Sequence, residues 1–220
     1  MTARRMGRPP RGEMPEGERR EKIMRVAGEL FTQRGYAAVS LGDIAAAVGV
    51  SKAALYHHFP AKDELYTVML CELLELISGY TRAIVEAPLP LRARLERYAQ
   101  ATAAIPADAD MDSMMRDVAQ HLSAEQRGRI AAAHATLTSL AVDLMRDGVD
   151  HGELRGDPAV LAHAFTHLLL AFSGRVGREA GYRGQPEVIT AIVELFLHGA
   201  SAARPEATPA RSREERPRRG

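Results

Sequence analysis

The chain has 220 residues, enough for one or two domains, and its single cysteine, Cys71, excludes an intrachain disulfide. No apolar run reaches the roughly 18 residues that a membrane-spanning helix needs, and no apolar stretch follows the basic N-terminus, so we expect a cytoplasmic protein without a membrane partner. The net charge of +1 is unevenly distributed, because residues 1–62 carry 11 lysines and arginines against 6 acidic residues, whereas residues 63–203 carry 12 against 19. A basic N-terminal part joined to an acidic remainder is typical of a nucleic-acid-binding domain with a second domain of another function.

Residues 1–18 are predicted to form a disordered basic arm, because they combine arginines with prolines and glycines. An extended arginine-rich arm can enter a narrow minor groove of DNA. Arg8 and Arg11, in the motif GRPPRG, are the candidates for that contact. The alternative is a solvated tail without a ligand.

The first helix is predicted from about Arg19 to Arg34. Its apolar residues recur with helical spacing, and Gly35 is expected to close it. The apolar stripe consists of Ile23, Val26, Ala27, Leu30 and Phe31. We expect this helix to pack across the two that follow and to form a small core with them.

The segment from Ser40 to Lys62, SLGDIAAAVGVSKAALYHHFPAK, has the pattern of a helix-turn-helix. Ser40 and Asp43 have capping-box spacing, Gly49 suits the left-handed residue that ends a helix, and Ser51 is a good N-cap for the next helix. In that second helix Leu55 is expected to point inward. The outward face is predicted to carry Lys52, Ala53, Tyr56 and His57. The alternative is an ordinary helical hairpin in a bundle.

The remainder has the periodicity of further helices, predicted at about 62–86, 91–105, 111–122, 124–151, 158–178 and 186–202. The predicted fold is therefore all-α, with about nine helices. It divides into a helix-turn-helix head (residues 19–64) and a helical body (residues 65–203). A basic, proline-rich tail (residues 204–220) is predicted to be disordered.

The last two predicted helices are apolar on more than one side, which requires burial on more than one side. We therefore predict that they pair with their copies in a C2 homodimer, as a four-helix interface. The predicted interface residues are Phe165, Leu168, Leu169, Phe172, Ile189, Ile192, Val193 and Phe196. The alternative is that these side chains are buried within one protomer.

From Glu21 to Leu65 the chain resembles the TetR/AcrR family of bacterial transcriptional regulators, most clearly over GVSKAALYHHFPAKDEL. The resemblance implies a dimer whose two heads read a palindromic operator in double-stranded DNA. Carried over to this sequence, it places DNA contacts at Ser40, Ser51, Lys52, Ala53, Tyr56, His57 and Lys62. Ala54 stands where many relatives carry a hydroxyl residue, and Gly42 is unusual inside a helix. We therefore expect sequence preference to come partly from DNA shape.

The resemblance also implies a small organic effector, bound between the long helix 62–86 and the helices of the body. Methionine side chains suit adaptable apolar pockets, although ordinary core filling is the alternative for each of them. The predicted pocket residues are Met69, Leu73, Met111, Met114, Met115, His134 and Phe172. An uncharged or cationic lipophilic ligand is expected.

No cofactor and no metal site are expected. His163 and His167 have the i, i+4 spacing of a metal-binding pair, but no third ligand is evident. The chain has no glycine-rich phosphate loop, no nucleophile elbow and no paired-cysteine motif, so we expect no enzyme. A ligand-responsive repressor is the leading hypothesis. Its rivals are a DNA-binding regulator without an effector, and a helical carrier or enzyme that retains the head as a scaffold.

Overall fold

A computed structural model describes residues 15–104, 117–173, 177, 179–182 and 184–200. Within these residues the protein is all-helical and contains no β-strand, as predicted. A short helical segment covers residues 117–121. The helices within the described residues are α1 (Glu16–Ala38), α2 (Leu41–Val48), α3 (Lys52–His58), α4 (Lys62–Val85), α5 (Leu91–Ala104), α6 (Ala124–Asp150), α7 (Pro158–Ser173) and α8 (Pro186–Ala200).

Helix α1 differs from its predicted bounds at both ends. It begins at Glu16, so the predicted disordered arm of residues 1–18 is too long; Glu16 and Glu18 in the first turn favour this start through the helix dipole. At the other end Gly35, with φ of 76°, kinks the helix, and Tyr36 to Ala38 form a last turn beyond it. Arg8 and Arg11 of the predicted arm, and the tail 204–220, lie outside the described residues.

One apolar core joins the helix-turn-helix to the body. It includes Ile23 of α1, Leu55 of α3 and Leu70 of α4, and on the side of the body Leu122 and the α6 residue Ile130. Helix α4 also packs along α6, which is its most extensive helix–helix contact. The predicted boundary between residues 64 and 65 therefore lies inside a continuous core. Because α4 contacts both the head and the body in this core, we expect a movement of α4 to shift both of them.

A second core lies at the far end of the body, between α5, α6, α7 and α8. Arg94 of α5 is buried there; it pairs with Asp147 of α6 and donates to the Val85 carbonyl at 3.2 Å. Among the described residues, no helix combines the length and apolar character that a membrane span requires.

The predicted dimer residues prove to be mostly core of the single protomer. Six of the predicted interface residues are buried in the second core: Phe165, Leu169, Ile189, Ile192, Val193 and Phe196. Leu168 and Phe172 are half-buried against the same core. These six side chains are buried within the protomer because α7 packs against α5 and α6, and α8 packs against α5 and α7, so that one apolar side of each helix is covered. Their burial does not support contact with a second copy, which stays a prediction. Their outward sides remain exposed, with Val160, Leu170 and Leu195 among them.

Candidate DNA-binding surface

Helix α2 begins with the predicted capping box. The Ser40 Oγ accepts from the Asp43 N–H at 3.2 Å and donates to Asp43 Oδ2 at 2.6 Å, while the Ser40 N–H donates to the same carboxylate oxygen at 2.8 Å. These hydrogen bonds to Ser40, followed by the weaker influence of Arg34 and Lys52, hold the pKa of the Asp43 carboxyl below its ordinary value. Gly49, with φ of 81°, ends the helix in the left-handed conformation.

The Ser40 hydroxyl is thus occupied within the protein, and a phosphate reaching this helix end would meet backbone N–H groups first. The first N–H groups of α2 have no acceptor within the helix, and the helix dipole is positive there. The geometry favours the backbone N–H groups at the start of α2 over the Ser40 hydroxyl for this contact, which stays a prediction.

Helix α3 places its side chains as predicted. Leu55 and Phe59 are buried in the first core, and the Ser51 Oγ accepts from the Ala54 N–H at 3.1 Å as the N-cap. The exposed side chains are Ser51, Lys52, Ala53, Tyr56 and His57. The outward orientation of these residues is confirmed; their contact with DNA remains a prediction.

The structure gives a spatial reason for Gly42. A Cβ atom at this position would lie 3.1 Å from Lys52 Cε and 3.3 Å from Lys52 Nζ, closer than most real Cβ contacts. The missing side chain lets the Lys52 stem lie against the first turn of α2. Lys52 is thereby positioned at the start of α3 by a residue ten positions earlier in the chain.

A cleft of about 410 Å³ brings together three of the predicted phosphate contacts. Ser40, Tyr56 and Lys62 all line it, together with residues 37–39, 41, 60 and 61. Tyr56 is 51% exposed at its edge. Ser40 is 16 positions before Tyr56 in the chain, and the packing of the head's helices brings it to the same cleft as Tyr56 and Lys62.

Lys62, however, directs its ammonium inward. Its Nζ donates to the carbonyls of Tyr36 and Val39 at 2.8 and 3.0 Å and lies 4.0 Å from the centroid of the Tyr36 ring. Burial lowers the pKa of Lys62, and the nearby Asp117 carboxylate opposes that shift. This geometry does not support the predicted phosphate contact, because the ammonium already holds the end of α1.

Lys22 is a residue of the head that sequence reasoning missed. Its Nζ donates to the Val48 carbonyl at 3.0 Å and so ties the end of α2 to α1. The two residues are 26 positions apart, and no local pattern links them.

The predicted effector residues that the structure describes do not line one pocket. Met69 is buried in the first core near Gly28 of α1, whereas Phe172 is packed at the second core, and His134 is an exposed residue of α6. Met69 is therefore core, as the alternative interpretation held. The remaining predicted methionines, Met111, Met114 and Met115, lie outside the described residues.

An apolar side of α4 is nevertheless exposed. Leu73, Leu76, Ile77 and Tyr80 share one side of this helix by their spacing. Leu76 is 57% and Tyr80 64% exposed, while Leu73 and Ile77 are half-buried. Leu73, one of the predicted pocket residues, lies on this side.

Two comparisons of sequence bear on the identity of the chain. The family model described as "Bacterial regulatory proteins, tetR family" matches residues 23–69, which span α1 to the first turns of α4. The HTH-type transcriptional repressor KstR2 of Rhodococcus jostii (strain RHA1) is 31% identical over 153 residues, 68% of this chain and 75% of that protein. The HTH-type transcriptional activator FasR of Mycolicibacterium smegmatis is 42% identical over 72 residues, about a third of each chain.

The fold has close counterparts among solved structures. The TetR family transcriptional regulator PfmR from Thermus thermophilus superimposes with a TM-score of 0.64 at 27% identity, covering 80% of this chain and 97% of that one. The likeness therefore extends through the helical body, beyond the helix-turn-helix that the family model matches.

Proposed function

Because the chain belongs to the tetR family of bacterial regulatory proteins and is a DNA-binding transcriptional regulator, we propose that it is a dimeric repressor released from its operator by a small organic effector. The observation that carries the proposal is the exposed row of Lys52, Ala53, Tyr56 and His57 above the buried Leu55. Repression is supported by KstR2, the relative matched over three quarters of its length, whereas FasR, an activator, is matched over a third.

In the proposed DNA complex α3 occupies the major groove. Lys52 and Ala53 at its start reach base edges, where the ammonium can read guanine acceptors and the methyl group can contact a thymine methyl. Tyr56, His57 and Ser51 contact flanking phosphates, as do the first N–H groups of α2. Arg8 and Arg11 extend the contact into the neighbouring minor groove.

The proposed dimer uses the outward sides of α7 and α8. Val160 and Leu170 on α7 and Leu195 on α8 are large apolar side chains that the protomer itself leaves exposed. His163 and His167 lie on the same exposed side of α7, with ring centroids 3.9 Å apart. Two copies related by a two-fold axis would present two heads to half-sites about 34–36 Å apart, as a palindromic operator requires.

The proposed effector binds in the body, against the exposed apolar side of α4 that carries Leu76 and Tyr80. Because α4 belongs to the same core as α1 and α3, a ligand that favours one position of α4 also favours one position of the head. The apolar character of this surface supports a lipophilic effector. The proposal keeps the division into a DNA-binding head and an effector-binding body, with the head beginning at Glu16, the first residue of α1.

The test is selection of bound genomic fragments from the source organism with purified protein at near-physiological salt. A palindromic site is the expected result. The Lys52→Ala variant should lose that site, whereas Arg97→Ala, which removes the same charge from an exposed position on α5, should retain it. Recovery of nonspecific DNA alone by the wild-type protein would refute the proposed operator.

Effector response is tested separately, by thermal unfolding of the protein with a panel of lipophilic compounds. A ligand that binds only the folded protein raises the unfolding temperature, and the same compound should release the operator fragment. Compounds that stabilise the wild-type protein should not stabilise a Leu76→Glu variant. If no compound does both, the rival interpretation of a regulator without a small-molecule effector is favoured.

A further inference from the structure

Tyr36 is held by parts of the protein on both sides of the predicted boundary between head and body. Its backbone N–H donates to Asp117 Oδ2, in the helical segment 117–121, at 3.1 Å. Its carbonyl accepts from Lys62 at 2.8 Å, and its ring stacks on His121 with centroids 4.9 Å apart. One residue directly after the Gly35 kink therefore contacts both the body and the start of α4.

This contact continues to the first residue of the helix-turn-helix. The Lys62 ammonium also donates to the Val39 carbonyl at 3.0 Å, and Val39 immediately precedes the N-cap Ser40 of α2. The whole connection from α1 to α2 is thus held between Asp117 on one side and Lys62 on the other. Neither residue lies on the outward side of α3 that faces the proposed DNA.

The start of α6 reinforces the same junction. Gln126 Nε2 donates to Asp63 Oδ2 at 3.1 Å, next to Lys62 in the first turn of α4, and Arg129 pairs with Glu64 at 2.9 Å. Gln126 is itself oriented by a capping box, because its Oε1 accepts from the Ser123 N–H at 2.9 Å. Side chains of the body therefore contact the chain on both sides of the helix-turn-helix, at the backbone N–H of Tyr36 and at the side chains of Asp63 and Glu64.

We infer that Asp117 is a positioning residue for DNA binding, which sets the orientation of the helix-turn-helix by anchoring Tyr36 to the body. The inference rests on the proposed DNA-binding function and goes beyond it, because it assigns an operator-affinity role to a body residue without any DNA contact. The carboxylate accepts from a backbone N–H directly after the Gly35 kink, where the regular helical hydrogen bonds are interrupted. The Lys62 ammonium lies close enough to this carboxylate to interact with it electrostatically.

Hydrogen exchange of the DNA-free protein tests the anchor directly. In Asp117→Ala the amides of residues 36–48 should exchange about tenfold faster, while those of α7 and α8 should be unchanged. Asp117→Asn retains an oxygen acceptor for the Tyr36 N–H and should restore most of the protection. Asp143→Ala, which removes a carboxylate paired with Arg146 on the surface of α6, is the control and should leave residues 36–48 unaffected. Equal exchange in Asp117→Ala and wild type, or faster exchange throughout the protein, would overturn the inference.

Operator affinity provides the second readout. Asp117→Ala should bind the selected operator about five- to tenfold more weakly, with the same salt dependence as wild type, because no phosphate contact is lost. Faster exchange without loss of affinity would show that the anchor does not position the DNA-binding helices. If the wild-type protein selects no specific site, the proposed function fails, and hydrogen exchange still decides whether Asp117 anchors the head.

Discussion

Gly42 has no side chain, and this leaves the room that the Lys52 side chain occupies. The Lys52 stem lies against the first turn of α2, at the place that a Cβ atom of residue 42 would crowd. A glycine inside a helix costs about 0.5–1 kcal/mol relative to alanine, through the freedom of the unfolded chain. If Lys52 reads DNA from this position, a gain in operator affinity compensates for this loss of stability.

Gly42→Ala is therefore expected to separate stability from DNA binding. The free energy of unfolding should rise by about 0.5 kcal/mol, whereas operator affinity should fall because the Lys52 ammonium is displaced. Gly128→Ala in α6, where a Cβ atom meets nothing within 4 Å, is the matched control and should leave affinity unchanged. Chemical denaturation and titration of labelled operator measure the two quantities. Unchanged affinity in Gly42→Ala would mean that Gly42 does not position Lys52.

A lysine can bind a DNA phosphate or a backbone carbonyl of its own protein, and Lys62 does the second. Lys62→Ala removes two hydrogen bonds to carbonyls and the contact with the Tyr36 ring, and we expect it to lower the free energy of unfolding by about 1–3 kcal/mol. The salt dependence of operator binding should remain that of wild type. Lys52→Ala, by contrast, should reduce the salt slope by about one unit with little change in stability. A reduced slope for Lys62→Ala would restore its predicted phosphate contact.

At the scale of the element, the helix-turn-helix depends on caps that differ in their response to pH. The folded-state pKa of Asp43 is depressed, so its contribution to stability is fully present above the ordinary pKa of 3.8 and is lost as pH falls through the lower folded value. The Ser51 cap of α3 has a hydroxyl that does not titrate in this range.

The two caps predict different acid behaviour of their variants. The difference in unfolding temperature between wild type and Asp43→Ala should be constant above about pH 5 and should shrink in more acidic buffer. The corresponding difference for Ser51→Ala should not depend on pH. Calorimetry of the three proteins from about pH 2.5 to about pH 7 covers the range in which the carboxyl titrates. A difference for Asp43→Ala that persists at the lowest pH would contradict the role of its charge in the cap.

Most element bounds were predictable from the sequence because they depend on neighbours in the chain. Ser40, Gly49, Ser51 and Pro60 act within one turn, and the observed α2 and α3 begin and end where these residues predict. Helix α1 was the exception, because a kink at Gly35 and the acidic residues before Arg19 extended it in both directions. The partners of Lys22 and Lys62 could not be predicted, since they lie 23 to 26 positions away.

At the scale of the whole molecule, introducing a charged side chain distinguishes the proposed dimer surface from the protomer's core. Leu195 is 63% exposed, whereas its neighbour Phe196 is buried. Leu195→Glu should give a folded monomer, because the charge is solvated in the protomer but would be buried in a dimer. Phe196→Glu should unfold the body. Sedimentation equilibrium and circular dichroism distinguish these outcomes, and a stable Leu195→Glu dimer would place the interface elsewhere.

By itself the sequence determined the helical fold, the helix-turn-helix and the outward side of α3, since each follows from periodicity and capping within short stretches. It could not assign the apolar residues of α7 and α8, because periodicity shows that a side chain is covered without showing which chain covers it. Tertiary structure decided that six of them belong to the protomer's own core and that Lys62 holds the backbone of the head. Both are contacts between distant parts of the chain, which depend on how whole helices pack.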